Sequence, residues 1–307
     1  MKKRRFSEIF AYFYKKSKIM KRCIFIIIAI VMVTVNLNAQ NNPNVYTYKV
    51  PVGEFILLSE GQGSGGPNLL VGATPDMLAK TIPGGTFPNA TNAFLVKIQG
   101  FNILIDAGHG RELFNNLKSV GVAPENIDIV LITHMHGDHI GGMLIDGKPA
   151  FPNAMVYIPK PEHDYWMSQQ GGGAQGAQNV IAAYKGRIEL FVPAPVGEED
   201  GGIISAGIFP MQAYGHTPGH TAFLLSDGSS RVLVWGDLTH AMAVQMPYPQ
   251  VALTYDVNPT DAIAARKQVI EYAVKNNIPV AGMHVPYPGM GTITALPAGG
   301  YQFTPMK

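Results

Sequence analysis

The chain is poor in cysteine and in charge. Its 307 residues include one cysteine, Cys23, in a stretch expected to be removed. The mature protein then has no thiol, which excludes disulfides, cysteine nucleophiles, thiolate metal sites and iron–sulfur clusters. Only 14% of the residues are charged. Nine of the 23 Lys and Arg lie in residues 1–39 against one acid, Glu8; setting these aside leaves 14 bases facing 20 acids, a net charge of −6. No basic cluster follows that could track a phosphate backbone, so nucleic acid is not an expected partner. Repeats and low-complexity linkers are absent. Gly61-Gln62-Gly63-Ser64-Gly65-Gly66 fits GxGxxG, but without a helix behind it or an acid at the right distance it reads as a flexible loop, not a dinucleotide site.

The longest apolar run, Ile24 to Val35, is broken only by Thr34. It falls short of the roughly 20 residues that span a membrane. Lys21-Arg22 precede it and Asn36-Leu37-Asn38-Ala39 follow, the layout of a signal peptide cut after Ala39. Residues 1–39 are read as leader, with Met20 a candidate true start, because Met20 to Ala39 has ordinary signal proportions. The expectation is a periplasmic or secreted protein with no stable membrane span after cleavage.

With 34 Gly, 23 Pro and 47% hydrophobic residues, the remainder is globular and loop-rich. Short β-like runs separated by Gly/Pro turns, with helical stretches among them, predict a layered α/β body. Phe94–Ile98 and Asn102–Ile105 read as a hairpin turning at Gln99-Gly100-Phe101. Glu112–Val120 reads as a helix stopped by Gly121, and Thr260–Lys275 as a helix with Thr260 as its N-cap. Residues 59–92, rich in Gly, Pro and Asn, read as a long irregular segment. Glu198-Glu199-Asp200 reads as a solvated turn.

The decisive stretch is Thr133-His134-Met135-His136-Gly137-Asp138-His139, of form HxHxDH, directly after the apolar run Ile127–Ile132. Residues two apart at a strand end share a side, so His134 and His136 can grip one ion. The turn at Gly137 lets Asp138 and His139 reach a neighbouring one. Imidazoles and carboxylates suit Zn²⁺, and Mn, Fe or Co accept the same donors. Further donors sit just past other apolar runs: His216 and His220 in His216-Thr217-Pro218-Gly219-His220, then Asp237, then His284. Strand ends of α/β proteins converge on one rim, where ligands bind. Spacing alone does not choose between His216 and His220. Asp106 either orients a ligand or caps the turn before Gly108. His109 and His163 read as ordinary polar residues. Trp166, Phe87 and Tyr287 read as core or as pocket wall.

These residues resemble the metallo-β-lactamase fold superfamily across most of the mature chain. Within it, Ile105-Asp106-Ala107-Gly108, Ala150-Phe151-Pro152-Asn153-Ala154, Gly236-Asp237-Leu238 and Gly282-Met283-His284-Val285-Pro286-Tyr287-Pro288-Gly289 are most similar to the methyl parathion hydrolase and N-acyl-homoserine lactonase branch. The resemblance implies a four-layer αβ/βα sandwich over residues 40–307 and two divalent ions, zinc first. His134, His136 and His216 would hold one ion and Asp138, His139 and His284 the other, with Asp237 bridging and His220 a hydrogen-bonding neighbour. It implies a bridging hydroxide oriented by Asp138. Small acyl-lactone hydrolases carry a substrate-touching Tyr where this chain has His240, which would then contact the substrate and donate a proton to the leaving group, or else pack.

The activity implied is opening of a small neutral ester or lactone, N-acyl-homoserine lactone first. Organophosphate triester or aryl-ester hydrolysis is the alternative. Further behind come β-lactam hydrolysis, weakened by the missing second-site Cys, and an iron-dependent oxygenase. Relatives suggest a homodimer.

Overall fold

The computed structural model describes residues 42–50, 53–199, 202–203, 207–226 and 230–306. The expected leader and its cut after Ala39 lie outside them.

Two sheets carry the structure. The first runs, in spatial order, β1 (Val45–Val50), β2 (Gly53–Gly65), β3 (Phe87–Ile98), β4 (Phe101–Ile105), β5 (Ile129–Leu131), β6 (Met155–Pro159) and β7 (Ile188–Phe191). The first three pairings are antiparallel and the last three parallel. The second sheet runs β8 (Ile208–Gln212), β9 (Thr221–Ser226), β10 (Arg231–Val234), β11 (Val280–Ala281), β12 (Met290–Ala295) and β13 (Tyr301–Pro305), with only β10 and β11 parallel. Parallel neighbours need crossovers. The helices α2 (Leu113–Ser119), α4 (Lys160–Ser168), α5 (Gly172–Ala183), α6 (Met242–Gln245) and α7 (Pro259–Lys275) lie in these connections.

The period-two alternation of strand side chains builds the layers. Phe55, Leu57, Phe94, Val96, Ile103 and Ile105 turn inward and meet Phe223, Leu225, Val234 and Met290 of the second sheet. Their sequence neighbours Ile56, Leu58, Ala93, Leu95 and Leu104 face outward, against Leu113 and Leu117 of α2 and Ala174, Ala177 and Val180 of α5. On the far side, Leu224, Leu233 and Val280 pack on Ala265, Val269, Ile270 and Ala273 of α7. The order helix, sheet, sheet, helix is the expected four-layer α/β sandwich.

Three local expectations are corrected. The β3–β4 hairpin turns on two residues, Gln99 (φ 49°) and Gly100 (φ 84°), and Phe101 already belongs to β4. Two consecutive positive φ values match the right-handed twist of the strands. The long helix begins at Pro259, and Asn258, not Thr260, caps it: its side chain accepts from the backbone N–H of Thr260 and Asp261. Proline fits the first helical position, so the cap falls one residue before it.

Residues 59–92 are ordered. They contain the end of β2, the 3₁₀ turn Pro67–Leu69, the strand Leu70–Val71 paired with Ala252–Leu253, the helix α1 (Pro75–Thr81) and the start of β3. Gly61 opens no loop; it sits in β2, where the β2–β3 register shifts between Ser59 and Gly61. Such a bulge bends a strand without ending it. Gly and Pro punctuate elements here too short to show a period.

Candidate functional site

Each expected donor follows a strand end. His134 and His136 come directly after β5, and Asp138 and His139 sit on the short helix α3 (Gly137–Ile140) that follows; His216 follows β8, Asp237 follows β10, and His284 follows β11. All seven converge. His134, His136, His216 and Asp237 form one group and Asp138, His139, Asp237 and His284 a second, each with donor atoms within 4.8 Å of one another, and Asp237 is common to both.

In the first group, Nδ1 of His136 lies 2.9 Å from Nε2 of His134 and 3.0 Å from Nε2 of His216. Oδ2 of Asp237 stands 3.2 Å from the latter and 3.5 Å from the former. In the second, Nε2 of His139 is 3.1 Å from Oδ1 of Asp237, and Nε2 of His284 is 3.1 Å from Asp237 Oδ2 and 3.3 Å from Asp138 Oδ2. A tetrahedral ion with ligands at about 2.1 Å would hold neighbouring ligand atoms about 3.4 Å apart. The spacing fits one.

The side chains behind the imidazoles settle which nitrogen faces inward. Nδ1 of His139 donates to Asp106 Oδ2 at 2.6 Å, Nδ1 of His216 to Asp256 Oδ1 at 2.9 Å, and Nδ1 of His284 to the Ala90 carbonyl at 2.8 Å. Nδ1 of His134 lies 3.1 Å from Thr133 Oγ1, whose hydroxyl donates to Asp106. Each anchored Nδ1–H leaves an Nε2 lone pair aimed into the cluster. His139 Nε2 and Asp237 Oδ1 are buried with no hydrogen-bond partner. Acceptors gathered without donors are what a cation satisfies.

The electrostatics agree. Burial alone would raise the Asp237 carboxyl, but His139, His284 and His240 outweigh it and hold it well below the usual carboxylate range. Burial pulls His136 down to about 4, with His216 adding to the effect, so it is neutral and ligand-ready near pH 7. For His284, burial opposes the proton while Asp237 and Asp138 outweigh it, lifting the group to about 10. The same negative field that draws a proton to this nitrogen draws a metal ion in its place.

Geometry also separates the eligible alternatives. His220 stays out of both groups: Nδ1 bonds the Ala213 carbonyl at 2.8 Å, while Nε2 accepts from the backbone N–H of Asp237 at 2.9 Å. Asp106 sits behind His139 and orients its ring. His240 is buried, stacks on His284 with ring centroids 4.2 Å apart, and places Nε2 3.0 Å from Asp237 Oδ2. His109 is exposed and His163 pairs with Asp164 at the surface. Trp166 turns its ring edge to His136 at 5.7 Å, Phe87 lines the cavity, and Tyr287 is largely outside it, 43% exposed.

A cavity of about 560 Å³ opens over the cluster. His136, Asp138, His216, Asp237, His240 and His284 form its floor, and Leu69, Phe87, Leu253 and Tyr255 an apolar wall. No Lys or Arg lines it among the described residues. Sequence reasoning missed Asn89, which donates to the His240 carbonyl; Asp256 behind His216; Arg266, which reaches the Leu238, Pro249 and Val251 carbonyls; and Glu162. None carries a local pattern, because each acts on a residue far along the chain.

Residues 86–277 match the metallo-beta-lactamase superfamily, and the chain belongs to it. It is a hydrolase of that superfamily. Among solved structures it is similar to a hydrolase named AbOPH of the beta lactamase superfamily, 28% identical, with a TM-score of 0.78 over 86% of this chain and 98% of that one. It shares the fold of AidC, a dizinc quorum-quenching lactonase solved with its product, N-hexanoyl-L-homoserine: 23% identity, TM-score 0.77, again 86% and 98%. Curated relatives match only locally. Ribonuclease Z of Clostridium kluyveri is 44% identical over 64 residues, a fifth of each chain, and that of Aeropyrum pernix 50% over 44 residues, 14% of each.

Proposed function

We propose that this chain is an exported dinuclear-metal hydrolase that opens a small neutral ester or lactone, N-acyl-homoserine lactone first. One observation carries the reading: five of the seven donor residues, His136, Asp138, His216, Asp237 and His284, lie on the floor of a cavity with an apolar wall, and among the described residues no Lys or Arg lines it. A substrate recognised there is uncharged at its reacting end and carries an apolar arm. That chemistry favours an acyl ester over the polyanionic RNA of the ribonuclease Z relatives.

His134, His136 and His216 would hold one divalent ion, Asp138, His139 and His284 the other, and Asp237 both, with zinc the best match to the donor set. When bound, two such ions lower the pKa of a water toward about 7 and so supply a hydroxide nucleophile at neutral pH. Asp138, partly open to the cavity, accepts a hydrogen bond from the attacking oxygen and aims it. His240, on the cavity floor beside Asp237, is pulled down to about 3 by burial and is neutral near pH 7, so it steadies the departing oxygen through a ring N–H, and the proton that oxygen takes up is the one the attacking oxygen releases to Asp138. Leu69, Phe87, Leu253 and Tyr255 hold the acyl arm and exclude water.

Incubation of purified, zinc-loaded protein with lactones of graded acyl length, followed by mass spectrometry, should show products heavier by one water. No metal-dependent opening at any length removes the lactonase reading. Organophosphate triester or aryl-ester hydrolysis is the second reading, favoured by the aromatic wall of Phe87 and Tyr255; methyl parathion turnover exceeding lactone turnover would put it first. Export rests on the basic, apolar and small-residue order of residues 21–39, and among the described residues no helix is long and apolar enough to cross a membrane. N-terminal sequencing of protein from the periplasm or medium should begin at residue 40.

A further inference from the structure

Glu162 is a fully buried carboxylate on the first turn of α4 that touches none of the seven donors. Oε1 accepts the backbone N–H of Met135 at 2.9 Å and the indole N–H of Trp166 at 2.5 Å. Oε2 accepts the Thr217 hydroxyl at 2.7 Å and the backbone N–H of Gly219 at 3.0 Å. Met135 stands between His134 and His136; Thr217 follows His216. One oxygen therefore serves the first ligand loop and the other serves the second.

The group has no local structural excuse. A buried carboxylate is costly unless its lone pairs are filled. Burial pushes its pKa up, and four donated hydrogen bonds push back. Three of the four partners are N–H groups that can only donate, so both oxygens must offer lone pairs, and the ionised form fits the site. The surroundings press the clamp shut. A Cβ on Gly219 would lie 2.1 Å from Glu162 N and 2.6 Å from its Cα, so only glycine lets the second loop come this close. Trp166, held by the same oxygen, sets its ring edge against His136.

We propose that Glu162 is a positioning residue: its two oxygens tie the loop of His134 and His136 to the loop of His216, and so fix the spacing of three imidazoles around one ion. The inference rests on the reading of those three as ligands. Fixing them in advance removes ordering entropy that binding would otherwise have to overcome. Without the tie the two loops lose this shared anchor, and Nε2 of His134 and Nε2 of His216, now 2.9 and 3.0 Å from His136 Nδ1, are free to spread.

Glu162→Gln keeps the size but turns one oxygen into a donor, which must confront either Met135 and Trp166 or Gly219. Chelator competition with Zn²⁺ should show one of two bound equivalents weakened 10- to 100-fold, the usual effect of losing a group behind a metal ligand, and the other unchanged. Substituted with Co²⁺, the variant should show an altered visible spectrum for the weakened equivalent alone. Thr217→Val, which removes one of the two donors to Oε2, should weaken the same equivalent, and the double variant should lose less than the two effects combined; if Glu162→Gln fails to fold, this variant alone decides. Two equivalents bound as in the unsubstituted protein overturn the inference, as does equal weakening of both in step with a fall in Tm. Absence of Zn²⁺ binding by the unsubstituted protein overturns the metal-centre reading, and this inference with it.

Discussion

Nε2 of His139 and Oδ1 of Asp237 face each other across 3.1 Å, both buried, and neither has a hydrogen-bond partner. Two acceptors brought together away from water cost free energy on the order of 1–3 kcal/mol for each unsatisfied group. Folding therefore brings the site together at a cost that a bound cation offsets.

Metal removal should accordingly soften the whole protein. Dialysis against a strong chelator is expected to abolish hydrolysis and lower Tm, and Zn²⁺ to restore both. At a free metal concentration a thousand times Kd the gain is about 4 kcal/mol, several degrees for a chain of this length. Calorimetric scans at two zinc concentrations check this, and identical scans would contradict it.

His136→Ala should cost the activity and spare the fold. Its ring is only half-buried at the cavity floor, so truncation leaves no large internal void, while one of three imidazoles around the first ion disappears. Turnover is expected to fall below detection, with the circular dichroism unchanged.

Asp106→Asn tests the tautomer argument. Asp106 takes φ 55°, a conformation asparagine also tolerates, so the backbone should hold. An amide N–H₂ set against Nδ1 of His139 would shift that ring's proton to Nε2 and turn a ligand into a donor. A 10- to 100-fold loss of metal affinity is expected by zinc titration; unchanged affinity would mean that the carboxylate does not fix the ring.

Tyr48 supplies a pH signature away from the metal donors. Burial, with Tyr46 and Tyr287 beside it, pushes its phenol above the ordinary value of 10.0, and its hydroxyl donates to the Pro288 carbonyl at 2.9 Å. The fold thus prefers the neutral form. This contribution is fully present below pH 10 and is lost as pH rises through the higher folded value. Tyr48→Phe should be less stable by about 1 kcal/mol at pH 8 but decline less above pH 10. Melting curves from pH 8 to 11 that run parallel would refute it.

Much of the centre was legible in the sequence because metal ligands obey local spacing. HxHxDH after an apolar run states both the strand end and the turn, and His216, Asp237 and His284 each announce themselves by their position after such a run. The choice of His216 over His220 is not in the spacing, since both lie in one loop; the family resemblance favours His216, and in the structure its ring meets the Asp256 carboxylate while that of His220 meets backbone groups of Ala213 and Asp237. Glu162 and Asp256 were illegible for a related reason: the ligand loops they brace lie 27 to 57 residues away, and a carboxylate's bonds to such distant backbone N–H, hydroxyl and imidazole groups leave no periodic trace. Residues 59–92 misled through composition, because glycine and proline mark turns between short elements as readily as they mark loops.

The wall of the cavity and its floor come from different stretches of chain. Leu69 and Leu253 belong to the small ribbon formed by Leu70–Val71 and Ala252–Leu253 and its flank, whereas the donors ride on the ends of the two large sheets. Mutations in the ribbon should therefore change which substrates the proposed centre admits while leaving its donors in place, so this scaffold could drift between substrates without first surrendering its chemistry.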